Sequence, residues 1–207
     1  MLTQRIVPSV LLFTFFFTPL VSAASATFDF KDPKGVNTIA FILDSTLEPI
    51  MGLASGISGT VSFDPADPKA TTGKIVVQTK SLHTENKGMK DSMHSDDWLD
   101  AAKNPTIEFN IKKVADAKSS EKDVHELTVV GELTIKGVTK EVTAPVKVTY
   151  LAGKMSDRTK AKGDLLVVRS NFTIKRSDFN IKPDMGDKVV ANDIELRVSI
   201  VGGAATK

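Results

Sequence analysis

Along most of the chain, apolar and polar side chains alternate with a period of two, the mark of strands that bury one face. Ile107, Phe109 and Ile111 alternate with Glu108, Asn110 and Lys112. Leu127, Val129, Leu133 and Ile135 alternate with Thr128, Glu132 and Thr134. Val142, Ala144, Val146, Val148 and Tyr150 follow the same rule, as do Leu166, Val168, Phe172 and Ile174, and then Ile194, Leu196, Val198 and Ile200. The pattern predicts earlier strands over Asn37–Leu43, Gly56–Phe63 and Lys74–Lys80. Gly52, Gly56 and Gly59 read as bulge or bend positions.

Turn chemistry separates the runs. Asp64-Pro65-Ala66-Asp67-Pro68 follows one strand, Lys136-Gly137 predicts a tight hairpin, and Lys182-Pro183-Asp184-Met185-Gly186-Asp187 marks a longer loop. Short connections between sequential strands favour an antiparallel meander. Thr84 to Asn104 lacks alternation and predicts a short helical insertion. Ser95 is its expected N-cap, with Asp96 and Asp97 in the first turn and Asn104-Pro105 as the stop. Trp98 and Leu99 would pack this helix on the sheet or close the end of a barrel.

About eight strands with one apolar face each, and no long amphipathic helix to cover them, are satisfied by closing the sheet on itself. A two-sheet sandwich has the same periodicity and stays open as the alternative.

Composition adds mostly exclusions. The 207 residues suffice for one domain. Lys+Arg total 27 against Asp+Glu 25, a net charge of +2, which offers no footprint for nucleic acid or an anionic surface. The chain has no cysteine, which excludes disulfides, iron–sulfur clusters, thiol catalysis and a lipidated N-terminal cysteine. His83, His94 and His125 match no common metal spacing and are expected in or beside loops on the surface. No Gly-rich phosphate loop is present. The expectation is a protein with no cofactor, no metal and no enzymatic activity.

The N-terminus reads as a secretory signal over residues 1–26. Arg5 precedes an apolar stretch through Leu20, broken by Pro19, then small residues ending Ala24-Ser25-Ala26. Cleavage after Ala23 and after Ala26 fit equally, and the apolar run is short for a membrane span. The remaining residues, 27–207, form the expected barrel domain, with no integral membrane span after processing.

Asp96, Asp97 and Asp100 are the densest carboxylates, and helix N-terminal acids explain them better than acid–base chemistry. Arg176 is expected to pair with Asp178 or Asp97 near the barrel mouth. Met51, Met89, Met93 and Met185 suit either adaptable lipid contacts at a rim or ordinary loop packing.

Four segments, in order, resemble the blocks of the YceI-like family. Gly131-Glu132-Leu133-Thr134-Ile135-Lys136-Gly137-Val138-Thr139-Lys140-Glu141-Val142 is similar to its G-x-L-T-I-x-G-V-T-K-x-V signature. Ile57 to Asp64, Ser95 to Asp100 with Asn104 to Phe109, and Phe172 to Phe179 resemble its other blocks. The resemblance implies a lipocalin-like extended antiparallel barrel, exported to the periplasm or secreted. It implies a polyisoprenoid, isoprenoid quinone or fatty amide held inside for transport or storage, and no catalysis. The alternative is a filled barrel, an envelope or stress-related interaction protein without lipid. The sequence departs from the family at Gly35 to Phe41, which lacks its His-Ser pair, and at Met89-Lys90 and Ser92-Met93, where the family usually has Arg-Asp and His-Leu.

If the interior is occupied, Ile107, Phe109, Val142, Val146, Val148, Phe172 and Ile174 are the expected contacts. They hold alternate positions on three strands and so project to one side. A long chain needs no strong polar contact, since each buried methylene contributes roughly 0.8 kcal/mol.

Overall fold

The computed structural model describes residues 25–206. The signal expected over residues 1–26 lies outside the described residues but for its last two. Ten strands follow in order: β1 (Ala26–Asp29), β2 (Thr38–Leu43), β3 (Ile50–Ala54), β4 (Ile57–Phe63), β5 (Thr72–Gln78), β6 (Thr106–Glu121), β7 (Val124–Ile135), β8 (Val138–Leu151), β9 (Gly163–Lys175) and β10 (Asp193–Ala205). Helix α1 (Lys87–His94) lies between β5 and β6, and a single turn, α2 (Met155–Arg158), between β8 and β9.

Every pairing is antiparallel, and the ring closes where Asp29 of β1 meets Gly203 of β10. That closure makes the architecture a barrel and not a sandwich, and its ten strands form eight staves, because two staves are each broken in the middle. β1 and β4 pair from Ala26↔Phe63 to Asp29↔Thr60, and β2 and β3 continue the same antiparallel course from Ile39↔Ala54 to Leu43↔Ile50. β10 borders both halves of the first stave, meeting β1 near Gly203 and β2 over Glu195–Ser199.

The break between β1 and β2 is bridged by a side chain. Asn37 is 1% exposed; its amide accepts from Val201 N–H at 2.8 Å and donates to Val201 and Phe30 carbonyls at 3.1 Å each. It stands in for the missing peptide group, satisfying backbone that burial would otherwise leave unpaired. The loop around it is held by Asp32, which accepts from the Lys34, Val36 and Asn37 amides and pairs with Arg158 at 2.9 Å. Burial alone would raise the Asp32 pKa; the three loop amides and Arg158 outweigh it and lower it.

The Lys136-Gly137 hairpin has the expected form: φ is +49° and +74°, both central residues being left-handed, as a two-residue turn between twisted strands requires. The helical insertion differs from the expected one in position. α1 runs Lys87–His94, capped by Asn86, whose Oδ1 accepts from Met89 N–H at 3.0 Å. Ser95 ends this helix rather than starting one; its hydroxyl turns back to the Ser92 carbonyl at 2.6 Å. The chain after it makes one tight turn, with Asp100 N–H on the Ser95 carbonyl, and leaves it at Asp100 with φ +46°. Asp96 and Asp97 therefore face solvent beside a turn and not the N-terminus of a helix.

Between two of the long strands the ladder is short. β7 and β8 share twelve residue pairs, whereas β8 and β9 share six, ending at Val146↔Ser170. Pro145 has no N–H to continue it, and its carbonyl takes the Ser170 hydroxyl at 2.6 Å. Beyond that point the facing edges of β8 and β9 form a seam without backbone pairing. Lys140, across from Leu133 on the inward parity, is exposed there. Proline and an inward-placed charge are the usual protection of an unpaired strand edge.

Candidate functional site

The inward side chains do not fill the barrel. A cavity of about 560 Å³ runs through its middle, within the range of small-molecule sites. Its wall is almost entirely apolar. Ile107, Phe109, Val146, Val148, Phe172 and Ile174 all line it. Val142 does not. It shares their inward parity but packs beside the Leu133, Ile135 and Ile174 cluster, next to the β8–β9 seam.

Three phenylalanines of the wall owe their position to glycines. The rings of Phe41, Phe109 and Phe30 lie over Gly52, Gly131 and Gly202, where any Cβ would collide with them. Gly131 opens the family-like signature segment, and close approach of the Phe109 ring is its physical reason. Gly52 works the same way, so it is a packing position as much as a bend.

The two ends differ. At the floor, Phe28, Phe63 and Tyr150 converge, with Phe28 and Tyr150 edge-on at 6.3 Å between ring centroids. The Tyr150 hydroxyl donates to Asp164 at 2.7 Å; burial, then that carboxylate, push its pKa up to about 12. His125 completes this layer and is 5% exposed, a correction to the surface placement expected from sequence. It sits on the inward parity of Leu127 and Val129, its ring 5.5 Å from that of Phe63. Nδ1 is 3.2 Å from the Ser119 hydroxyl, and Nε2 has no partner. Burial lowers its pKa, with Asp123 opposing.

At the mouth, loops and α1 surround the opening. Met89, Met93 and Met185 line the cavity here, together with Trp98 and Leu99; Met51 instead points outward from β3. Arg176 is 1% exposed and pairs with neither Asp178 nor Asp97. Asp97 pairs with Lys182 at 2.9 Å. The Arg176 guanidinium instead donates to five backbone carbonyls of the β9–β10 connection: Ile181 (2.7 Å), Lys182, Met185 (3.0 Å), Val190 (3.2 Å) and Ala191 (3.4 Å). Five donors meet five acceptors, so the loop is folded around a buried cation. Burial lowers the Arg176 pKa and Asp187 opposes it. No sequence signal pointed to this role, because backbone carbonyls carry no residue signature.

Among the described residues no cluster of three or more His, Cys, Asp or Glu is arranged to hold a metal. No described helix is long and apolar enough to cross a membrane.

A family model described as YceI-like domain matches residues 24–202. Protein YceI of Escherichia coli O157:H7 is 32% identical over 157 residues, 74% of this chain and 73% of the relative. A UPF0312 protein of Pseudomonas aeruginosa (strain LESB58) is 30% identical over 154 residues, 74% of this chain and 73% of the relative. Among solved structures, Burkholderia cenocepacia BcnA superposes with a TM-score of 0.62 at 23% identity, covering 80% of this chain and 95% of that one. A polyisoprenoid binding domain from Saccharophagus degradans, implicated in plant cell wall breakdown, superposes with a TM-score of 0.61 at 12% identity, covering 87% and 99%. At these identities the structures speak for the fold alone.

Proposed function

Since this chain belongs to the YceI-like family, we propose that it is an exported, non-enzymatic carrier that holds one long apolar molecule in the barrel. The proposed ligand is a polyisoprenoid, an isoprenoid quinone or a fatty amide. The proposed contacts are Ile107, Phe109, Val146, Val148, Phe172 and Ile174, with Val142 behind them, and the proposed location is the periplasm or beyond, after loss of residues 1–26.

The single observation that carries this reading is the unfilled apolar cavity. A space of about 560 Å³ leaves its apolar lining without packing partners, which a packed barrel interior would supply. A barrel that served only as a filled scaffold would close such a space with larger side chains. The polyisoprenoid binding domain from Saccharophagus degradans has the same fold, which supports the ligand class.

The test is native mass spectrometry on protein extracted gently from its own cells, wild type against Phe172→Trp. The larger ring adds apolar volume at the wall without a charge. Wild type should carry a hydrophobic molecule, and a Phe172→Trp protein with unchanged circular dichroism should have lost most of it. Wild-type protein that is clean, and that fails to take up the apolar dye diphenylhexatriene, would sink the reading.

A further inference from the structure

A barrel wall that faces water keeps polar residues on its outer positions, and one stretch of this wall departs from that rule. On β2 and β3 both faces are apolar. Ile39, Phe41, Leu43, Ile50 and Ala54 point inward and line the cavity. The outward positions, paired as Ala40↔Leu53 and Ile42↔Met51, are apolar as well. On β10 next to them, the residues in register with Ile42 and Ala40 are Glu195 and Arg197.

The apolar face extends to the mouth. Five large apolar side chains are well exposed among the described residues, and four belong here. Met51 (66% exposed) and Leu53 lie on β3, and Leu47 (67%) lies in the connection before it. Val189 lies in the β9–β10 connection, where the neighbouring Lys188 carbonyl accepts the Leu47 N–H at 2.9 Å. Val189 also lines the cavity, so the outer apolar surface runs over the rim into the inner one. Contiguous exposed apolar surface marks a docking site.

Size, edge and charge identify the occupant. Four side chains fall far short of the roughly 20–30 residues a side of a standard protein interface. The far edge of β3 is closed at Leu53, which exchanges two backbone bonds with His83 at 2.9 and 2.8 Å. A second copy therefore finds no free strand edge to extend. The two connections carry the exposed acids Asp44, Glu48, Asp178, Asp184 and Asp187 against Lys182 and Lys188, and Lys182 is held by Asp97. That balance gives an anionic surface no advantage. The partner that suits a small, convex, apolar face without cations is the acyl boundary of a lipid bilayer.

We propose that this face is a membrane-docking surface, on which the β2–β3 hairpin inserts Leu47 and Met51 shallowly into a bilayer beside the cavity mouth. The proposal rests on the carrier reading for its purpose: a molecule dissolved in a membrane is collected where an apolar path leads from the lipid over Val189 into the barrel. Binding comes from buried apolar area and not from charge.

The test is flotation of the exported protein with vesicles of phosphatidylcholine, alone or mixed with phosphatidylglycerol, at low and high salt. Wild type should float with both to a similar extent, and salt should not release it. Leu47→Asp combined with Met51→Asp should weaken partitioning about tenfold or more, with unchanged circular dichroism and unchanged uptake of diphenylhexatriene from solution. Leu47→Asp alone lies outside any strand; it should carry a large part of the loss and serves if the pair does not fold. Val36→Asp, at the fifth exposed apolar position and at the end of β2 away from the mouth, should change nothing. Wild-type protein that does not float, or that floats only with phosphatidylglycerol and is released by salt, overturns the proposal. So does a wild-type dimer that the paired substitution converts to a monomer, which would assign the face to a second copy. Protein that takes up the dye but ignores vesicles overturns the docking surface and keeps the carrier reading; protein that floats but takes up no dye does the reverse.

Discussion

At the floor of the barrel the inward positions of β1, β4 and β8 carry Phe28, Phe63 and Tyr150, and the rings meet across the bore. One layer up, the inward positions of β8 and β9 carry Ala144, Val146 and Val168, and they face open cavity. Strand geometry and alternation are the same in both layers. The difference is side-chain size. Eight staves enclose a bore just wide enough to be filled by large side chains or left for a ligand. Alternation thus says which face is inside, and residue volume says whether the inside is full. The floor packs its rings against one another, and the mid-section leaves space between shorter side chains.

This comparison can be broken most forcefully at Phe63. Phe63→Ala should lower the unfolding free energy by about 3–5 kcal/mol, read from urea denaturation at unchanged m-value. Dye binding to the remaining folded protein should persist. Loss of binding without loss of stability would mean that floor and cavity are one functional unit, contrary to the contrast drawn above.

Arg176 tests the mouth in the same terms. Arg176→Met strands the carbonyls that the guanidinium now satisfies, and each buried orphan costs about 1–3 kcal/mol before water reaches it. Because the loop lies at the surface end of the barrel, partial rehydration should hold the total to about 2–3 kcal/mol. The expected signature is faster proteolysis between Ile181 and Ala191 in a barrel whose core strands keep their hydrogen-exchange protection. Uniform loss of protection throughout would show that the mouth stabilises as the floor does.

The smallest effect belongs to His125. Burial disfavours its charged form, so the unfolded chain takes up a proton near the ordinary value of 6.5 that the folded chain declines. Stability from this group is complete above that value and is lost as pH falls from there through the folded pKa. His125→Leu should flatten the stability profile between about pH 7 and pH 5. A variant profile parallel to that of wild type would remove His125 as a source of acid sensitivity.

How much of this was legible in the sequence depended on range. The long strands β6 to β10 announced themselves through alternation, and Lys136-Gly137 through its turn chemistry. His125 was legible too, since it shares the parity of Leu127 and Val129; proximity to a turn masked it. β1 and β3, with four and five residues, are too short for a period to show. The helix lies earlier than expected because Asn86 and Ser95 are both competent caps, and the left-handed residue Asp100 that ends the tight turn after Ser95 has no side-chain signature. Asn37 bridging to Val201 and Arg176 gathering carbonyls are contacts to backbone, which every residue supplies alike. Six of the seven expected interior contacts face the cavity; Val142 is the exception, packed instead against the Leu133, Ile135 and Ile174 cluster above the last β8–β9 pair.

That parting of β8 from β9 has a mechanical meaning. A ring of strands laced by hydrogen bonds all the way round keeps a fixed girth, since widening it anywhere ruptures backbone bonds. Here the lacing stops at Val146 and Ser170, and above that level the two edges are held by side chains such as Val142 and Phe172 and by the turn after β9. Side-chain contacts yield gradually, at a fraction of a kilocalorie per atom pair. The barrel is a sleeve with a slit cut part-way down one side, between β8 and β9 on the mouth side of Pro145.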